Sequence, residues 1–312
     1  MKLKVLRLPL NNYCESKISA KIKKVGTSSL LESADLFYRV REELRMENLI
    51  ILGTGNANVT KCYNTCFALY NGEEYFLVDA GGGNGILAQL EKAEIPLNKV
   101  HEIFLSHEHT DHLLGMIWII RMIAAQMKQG RYEANCNIYC HSDLVETVKT
   151  ICRLTIQGKF YKLIGERIFL HPLEDGDKKQ ILKYPVEFFD IRSGKAKQYG
   201  FVTQLENGKK FTFLGDEPCR EWEYDFARNT DWMLHEAFCL HSQADIFHPY
   251  EKCHTTVKDA CELAEELGAK NLVLYHTEDK NIERRKELYT AEGKQYYHGT
   301  LFVPEDLEVI EL

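Results

Sequence analysis

The ten cysteines of this 312-residue chain are scattered, and no two stand in a C-x-x-C pair. The tightest spacings, Cys62/Cys66 and Cys136/Cys140, leave three residues between the thiols. A disulfide framework or a zinc knuckle is therefore not expected, and the pattern suits the reducing cytoplasm. Long uncharged runs are missing too. The apolar stretch Leu113–Ile120 is interrupted by Arg121, well short of the ~20 residues that a membrane span requires. The first residues, Met-Lys-Leu-Lys-Val-Leu-Arg, hold neither an uncharged h-region nor a small-residue cleavage site, so no signal peptide is expected. Nor is there an excess of positive charge. Lys plus Arg total 39 against 46 Asp plus Glu, a formal charge of −7, and no bulk basic field exists to hold a long phosphate backbone. No repeat of 20–50 residues is visible, and no Pro/Ser-rich linker follows residue 48.

What remains is a sequence built to fold. With 45% apolar and 27% charged residues, it has enough to bury a large core. Residues 1–47 read as an appendage. A polar stretch, Asn11–Ser29, precedes an amphipathic helix with Leu36, Phe37, Val40 and Leu44 at helical spacing. That apolar face packs either on the main body or on a second subunit in a homodimer, and the pattern does not choose. From Leu49 onward, strands alternate with turns and then with helices: Leu49-Ile-Ile-Leu-Gly, Cys66-Phe-Ala-Leu-Tyr, and Glu74-Tyr-Phe-Leu-Val-Asp. The clearest helix is Thr256–Leu267, with Thr256 and Asp259 forming a capping box and Gly268 at the C-terminal cap. Residues 48–312 thus read as one α/β domain with helices covering sheet faces.

Four apolar strands end in a residue able to bind a cation: Asp79, His107, Asp216 and His276. The densest point is Ser106-His-Glu-His-Thr-Asp-His112. His107 and His109 project the same way from an extended loop, while Asp111 and His112 open the helix that begins near Leu113. Imidazole and carboxylate together suit Zn or Mn, and two such ions ~3.5–4 Å apart would clamp one activated water. Gly81-Gly-Gly-Asn-Gly85 lacks the GK[ST] ending of a phosphate loop and reads as a tight turn. The apolar helix after the motif, with Met116, Trp118, Ile119, Ile120, Met122 and Ile123, reads as buried against a sheet.

His-Glu-His-Thr-Asp-His resembles the HxHxDH motif of the metallo-β-lactamase superfamily, and Asp79, Asp216 and His276 follow in that family's order. Ile50-Leu-Gly-Thr-Gly-Asn-Ala, His235-Glu-Ala-Phe, His254-Thr-Thr and the closing Phe302–Leu312, taken as the last strand, resemble ribonuclease Z and its phosphodiesterase relatives more narrowly. The resemblance implies a four-layer αβ/βα sandwich. It assigns His107 and His109 to a first metal, Asp111, His112 and His276 to a second, and Asp216 to both. Asp79 becomes a supporting carboxylate behind a ligand histidine, and Glu236 with His254 a proton-handling pair that protonates the leaving oxygen.

Two departures qualify this. The family places a further histidine before its GY- or GF-containing strand, but Phe188–Phe201 contains none; Asp190, His141 or His171 would have to move in. The second metal is therefore expected to bind more tightly than the first. Bacterial ribonuclease Z also carries a long arm for transfer RNA, whereas residues 201–215 leave room only for a hairpin turning at Asn207-Gly208. The expected function is a metal-dependent hydrolase of a small anionic phosphodiester or cyclic phosphate, with transfer RNA disfavoured. The alternatives are a transfer RNA 3′-processing endonuclease, a thioester or lactone hydrolase, and a non-catalytic metal-binding regulator.

Overall fold

The computed structural model describes residues 47–312. The amphipathic segment around Leu36–Leu44 and the rest of the expected appendage lie outside the described residues.

Along the strands, alternate side chains are apolar on both faces, which is the pattern of a sheet buried on two sides. In β1 (Asn48–Gly53), Leu49 and Ile51 point one way and Ile50 and Leu52 the other. β2 (Cys66–Tyr70), β3 (Tyr75–Val78) and β4 (Val100–Phe104) repeat this, with Phe67, Phe76 and Phe104 on the first face and Ala68, Leu77 and Ile103 on the second. β5 (Cys136–His141) and β6 (Ile168–Leu173) extend the sheet. A second sheet gathers β7 (Lys178–Ile181), β8 (Tyr184–Asp190), β9 (Tyr199–Gln204), β10 (Lys210–Phe213), β11 (Trp232–Glu236), β12 (Asn271–Tyr275) and β13 (Thr300–Phe302). The last strand, β14 (Val309–Glu311), crosses back to the first sheet and pairs with β1.

The orders are β14-β1-β2-β3-β4-β5-β6 and β13-β12-β11-β10-β9-β8-β7. Each sheet joins an antiparallel meander to three parallel pairings: β3/β4, β4/β5 and β5/β6 in one, β10/β11, β11/β12 and β12/β13 in the other. The two inner faces meet in an aromatic layer, where the Phe201 ring lies 5.6 Å from Phe76 and 5.7 Å from Phe104, and Phe67 lies 5.3 Å from Phe213. Helices cover the outer faces. α1 (Gly85–Lys92), α2 (Thr110–Lys128) and α3 (Ser142–Thr155) pack on the first sheet through Leu90, Ile119, Ile120, Ile123 and Val148. After the short helices α4 (Gly158–Tyr161), α5 (Tyr224–Ala227) and α6 (Ala244–Phe247), α7 (Val257–Glu266) and α8 (Arg285–Gly293) cover the second sheet through Val257, Ala260, Ala264 and Tyr289. The result is the αβ/βα sandwich of the metallo-β-lactamase fold.

Two local expectations change. Trp118 is not buried: it lies on the solvent side of α2, 39% exposed, with the Arg121 guanidinium 5.8 Å from its ring centre. Met116, Ile119, Ile120 and Ile123 do face the sheet, so the apolar run is wider than the buried stripe. The closing segment 302–312 is also not one strand. Phe302 ends β13 in one sheet, Pro304 follows, Leu307 takes φ +70°, and β14 forms in the other sheet. Proline has no N–H to donate to a ladder, and the left-handed residue turns the chain across the sandwich.

Candidate metal centre

The parallel strands of both sheets release their chemically active residues at their C-terminal ends. β3 leads to Asp79 and β12 to His276, and both take φ +56°, a left-handed conformation that costs non-glycine residues energy and turns each side chain off the strand axis. α2 is drawn close beneath the loop after β3. The Gly115 N–H donates to Gly81 O at 2.8 Å, and a β-carbon at position 115 would stand 1.8 Å from Ala80 O. Only glycine fits there, and this approach sets Asp111 and His112 in the first turn of α2 against the ends of β3 and β4.

Six side chains converge. One group comprises His107, His109 and Asp216, the other Asp111, His112 and His276, and within each group one donor atom per residue lies within 4.8 Å of the others. Asp216 Oδ2 stands at the middle: it is 3.6 Å from His107 Nε2, 3.4 Å from His112 Nε2 and 3.6 Å from His276 Nε2. His109 Nδ1 is 2.9 Å from His107 Nε2, and Asp111 Oδ2 is 3.5 Å from His112 Nε2. All but His109 are buried.

The tautomers can be read from what lies behind the rings. His112 Nδ1 donates to Asp79 Oδ2 at 2.8 Å, so Nε2 is the nitrogen that faces inward; that atom is buried and has no hydrogen-bond partner. Asp79 also accepts the Ser106 N–H at Oδ1 (2.8 Å) and the Ser106 hydroxyl at Oδ2 (2.7 Å). With its proton given to Asp79, Ser106 Oγ can accept from His107 Nδ1 at 2.9 Å. One carboxylate thus orients two imidazoles, one directly and one through a serine.

Burial pushes His276 down to about 4 although Asp216 opposes it, and burial likewise lowers His107 against the same carboxylate. Burial would raise Asp216, but the imidazoles of His107, His112 and His276 outweigh it and hold the carboxyl low. Asp111 follows the same logic with His112 as its strongest attractor. His112 itself is raised, because Asp111 and Asp79 overcome its burial. Ionised carboxylates crowded with imidazoles in a dry pocket form a donor set that a divalent cation neutralises, taking the place of the proton that His112 would otherwise hold. The orphaned His112 Nε2 is the atom that most plainly fits one.

Beside this centre, the His254 ring lies 5.2 Å from that of His276 and stacks on Phe238 at 4.9 Å with 13° between planes. His254 Nδ1 faces Glu236 Oε2 at 3.6 Å, and both atoms are buried with no hydrogen-bond partner. The other Glu236 oxygen accepts the Thr255 N–H. His235, fully buried, spans Glu236 O and the Cys219 N–H.

None of the residues considered as substitutes for the missing histidine enters either group. His141 Nε2 faces Glu108 Oε2 at 3.3 Å, His171 Nε2 pairs with Asn137 at 2.9 Å, and Asp190 Oδ1 accepts the Arg192 N–H at 2.7 Å. Gln198 is there instead, its Nε2 against Asp216 Oδ1 and 3.0 Å from His107 Nδ1. In the sequence it is marked only as a lone amide immediately before Tyr199-Gly200-Phe201. The lysines 195, 197, 209 and 210 do not gather: Lys195 approaches Glu217, Lys197 approaches Asp143, and Lys210 donates to the carbonyls of Asp225 and Arg228.

The family described as anti-Pycsar protein Apyc1 matches residues 47–296. The ribonuclease Z of Nanoarchaeum equitans is 27% identical over 306 residues, covering 84% of this chain and 92% of that protein. Among solved structures, the metallo-β-lactamase fold protein YhfI from Bacillus subtilis superposes with a TM-score of 0.70 at 17% identity, covering 86% of this chain and all of that one. The short form of human tRNase Z superposes with a TM-score of 0.65 at 21% identity, covering 85% and 98%.

Proposed function

The chain belongs to the anti-Pycsar protein Apyc1 family and is a metal-dependent hydrolase of the metallo-β-lactamase superfamily, and from that premise we propose that it cleaves a small phosphodiester or cyclic phosphate. The observation that carries the reading is the contact of a proton-handling pair, Glu236 and His254, with a cation-ready cluster through the His254 and His276 rings.

Asp111, His112 and His276 would hold one divalent ion, zinc or manganese, with Asp216 shared toward His107 and His109. When bound, such an ion polarises a phosphoryl oxygen and lowers the pKa of water to about 7. The rest of the chemistry belongs to the chain. Asp79 holds the Nδ1 proton of His112, so that Nε2 is the nitrogen turned to the centre, and through Ser106 it supports the same orientation of His107. Glu236 stabilises a proton on His254 Nδ1, which frees His254 Nε2 to deliver its own proton to the departing oxygen. The stack on Phe238 fixes the plane of that imidazole.

The size of the substrate follows from what surrounds the centre. β9 and β10 join through the short turn at Asn207-Gly208, with Gly208 at φ +85°, and no arm extends from that hairpin. The net charge of −7 also disfavours a long polyanion. A second reading, a transfer RNA endonuclease, is favoured by the name ribonuclease Z that the curated relative carries.

The test is turnover of bis-p-nitrophenyl phosphate, a nucleoside cyclic phosphate and a transfer RNA precursor, each with and without zinc or manganese. Metal-dependent cleavage of the small esters with the precursor left intact is expected. Cleavage of the precursor alone would transfer the assignment to the endonuclease.

A further inference from the structure

The two ligand groups are not equals. Asp111, His112 and His276 supply three donors in addition to the shared Asp216 Oδ2. His107 and His109 supply two, and the further polar side chain that reaches both His107 and Asp216 is Gln198, which is 1% exposed.

A glutamine can ligate only through its amide oxygen. Beside an ionised carboxylate, however, only the NH2 end of the amide can face Asp216 Oδ1, because the reverse orientation sets oxygen against oxygen. Gln198 Oε1 is thereby turned away from that carboxylate. The amide also lies 3.0 Å from His107 Nδ1, where Ser106 Oγ stands at 2.9 Å. Nδ1 can donate to the serine or accept from the amide, but not both. Accepting from Gln198 puts the ring proton on Nε2, the atom that faces Asp216 and His109. The amide therefore occupies one oxygen of the shared carboxylate, contributes no donor and competes for the tautomer that His107 needs.

We propose that Gln198 makes this a one-ion centre: the Asp111, His112, His276 and Asp216 position retains a divalent cation, and the His107, His109 position does not. The inference rests on the metal-centre reading above and names the residue that sets its stoichiometry.

The experiment is metal content. The full chain is equilibrated with zinc, passed over a chelating resin to strip loosely held metal, and analysed for zinc per chain by mass spectrometry. One ion is expected for the native sequence. Two are expected for Gln198→His, which puts an imidazole where the amide stands, and for Gln198→Glu, which puts a carboxylate there. A zinc-dependent rise in Tm establishes that each variant is folded. Two ions retained by the native protein, or one retained by both folded variants, overturns the proposal. The native stoichiometry is decisive even if the substitutions prevent folding. A native protein that retains no ion overturns the underlying metal-centre reading as well, which separates the two failures.

Discussion

Asp79 Oδ2 lies 2.8 Å from His112 Nδ1, with both side chains 1% exposed. In a pocket this dry, the pair fixes which nitrogen of His112 carries the proton. Asp79→Asn retains the shape but offers one acceptor where three donors converge. Affinity for the first equivalent of zinc should fall 10–100-fold, measured by competition with a chromophoric chelator. An unchanged affinity would show that the ring is oriented by something else.

His254 contacts the centre through His276 and faces Glu236 across 3.6 Å. A general acid matters most when the leaving oxygen is strongly basic. His254→Gln should therefore lower kcat by roughly 10²–10⁴ for an ester with an alkoxide leaving group and much less for a p-nitrophenyl ester. Equal losses on both substrates would assign His254 to binding rather than to proton transfer.

The legibility of this protein differs from level to level. That the strand-end residues Asp216 and His276 converge on the HEHTDH segment could be read because each follows an apolar run and because that cluster is dense; the helix at Thr256 was marked by its own capping box, in which Thr256 Oγ1 and the Asp259 carboxylate cap reciprocally. Gln198 was not legible, since its role depends on Asp216 and His107 arriving from other strands. Trp118 and the split at Pro304 were misread for a related reason. Hydropathy records what a residue is, whereas the width of the buried stripe and the crossing between sheets depend on what packs against it.

The aromatic layer between the sheets bears most directly on stability. Phe201 is fully buried and meets Phe76, Phe104, Phe188, Phe211 and Phe213 at ring separations of 5.6–6.2 Å. Phe201→Ala should cost about 3–5 kcal/mol of unfolding free energy, read from denaturant midpoints. A loss below ~1 kcal/mol would mean that the layer collapses around the gap.

Glu223 gives a pH dependence away from the centre. Burial raises its carboxyl to about 8, with the Arg220 N–H and guanidinium only partly offsetting it. The folded state thus holds a proton that the unfolded chain releases near 4.5. Between about pH 4.5 and 8 the native state binds more protons, so this contribution is greatest at the acid end and declines as pH rises through that window. Glu223→Gln removes the titration, and the unfolding free energy should then fall less between pH 5 and 8, a difference of about 3–4 kcal/mol at most, read from denaturant midpoints. Parallel pH profiles for the two proteins would refute the assignment.

The proposed chemistry requires residues from 107 to 276 to meet around one cation. Anomalous diffraction at the zinc edge, from crystals of the full chain grown with zinc, tests this most directly. The predicted result is a strong peak bounded by Asp111, His112, His276 and Asp216. A peak elsewhere on the molecule, or none at saturating zinc, would contradict it.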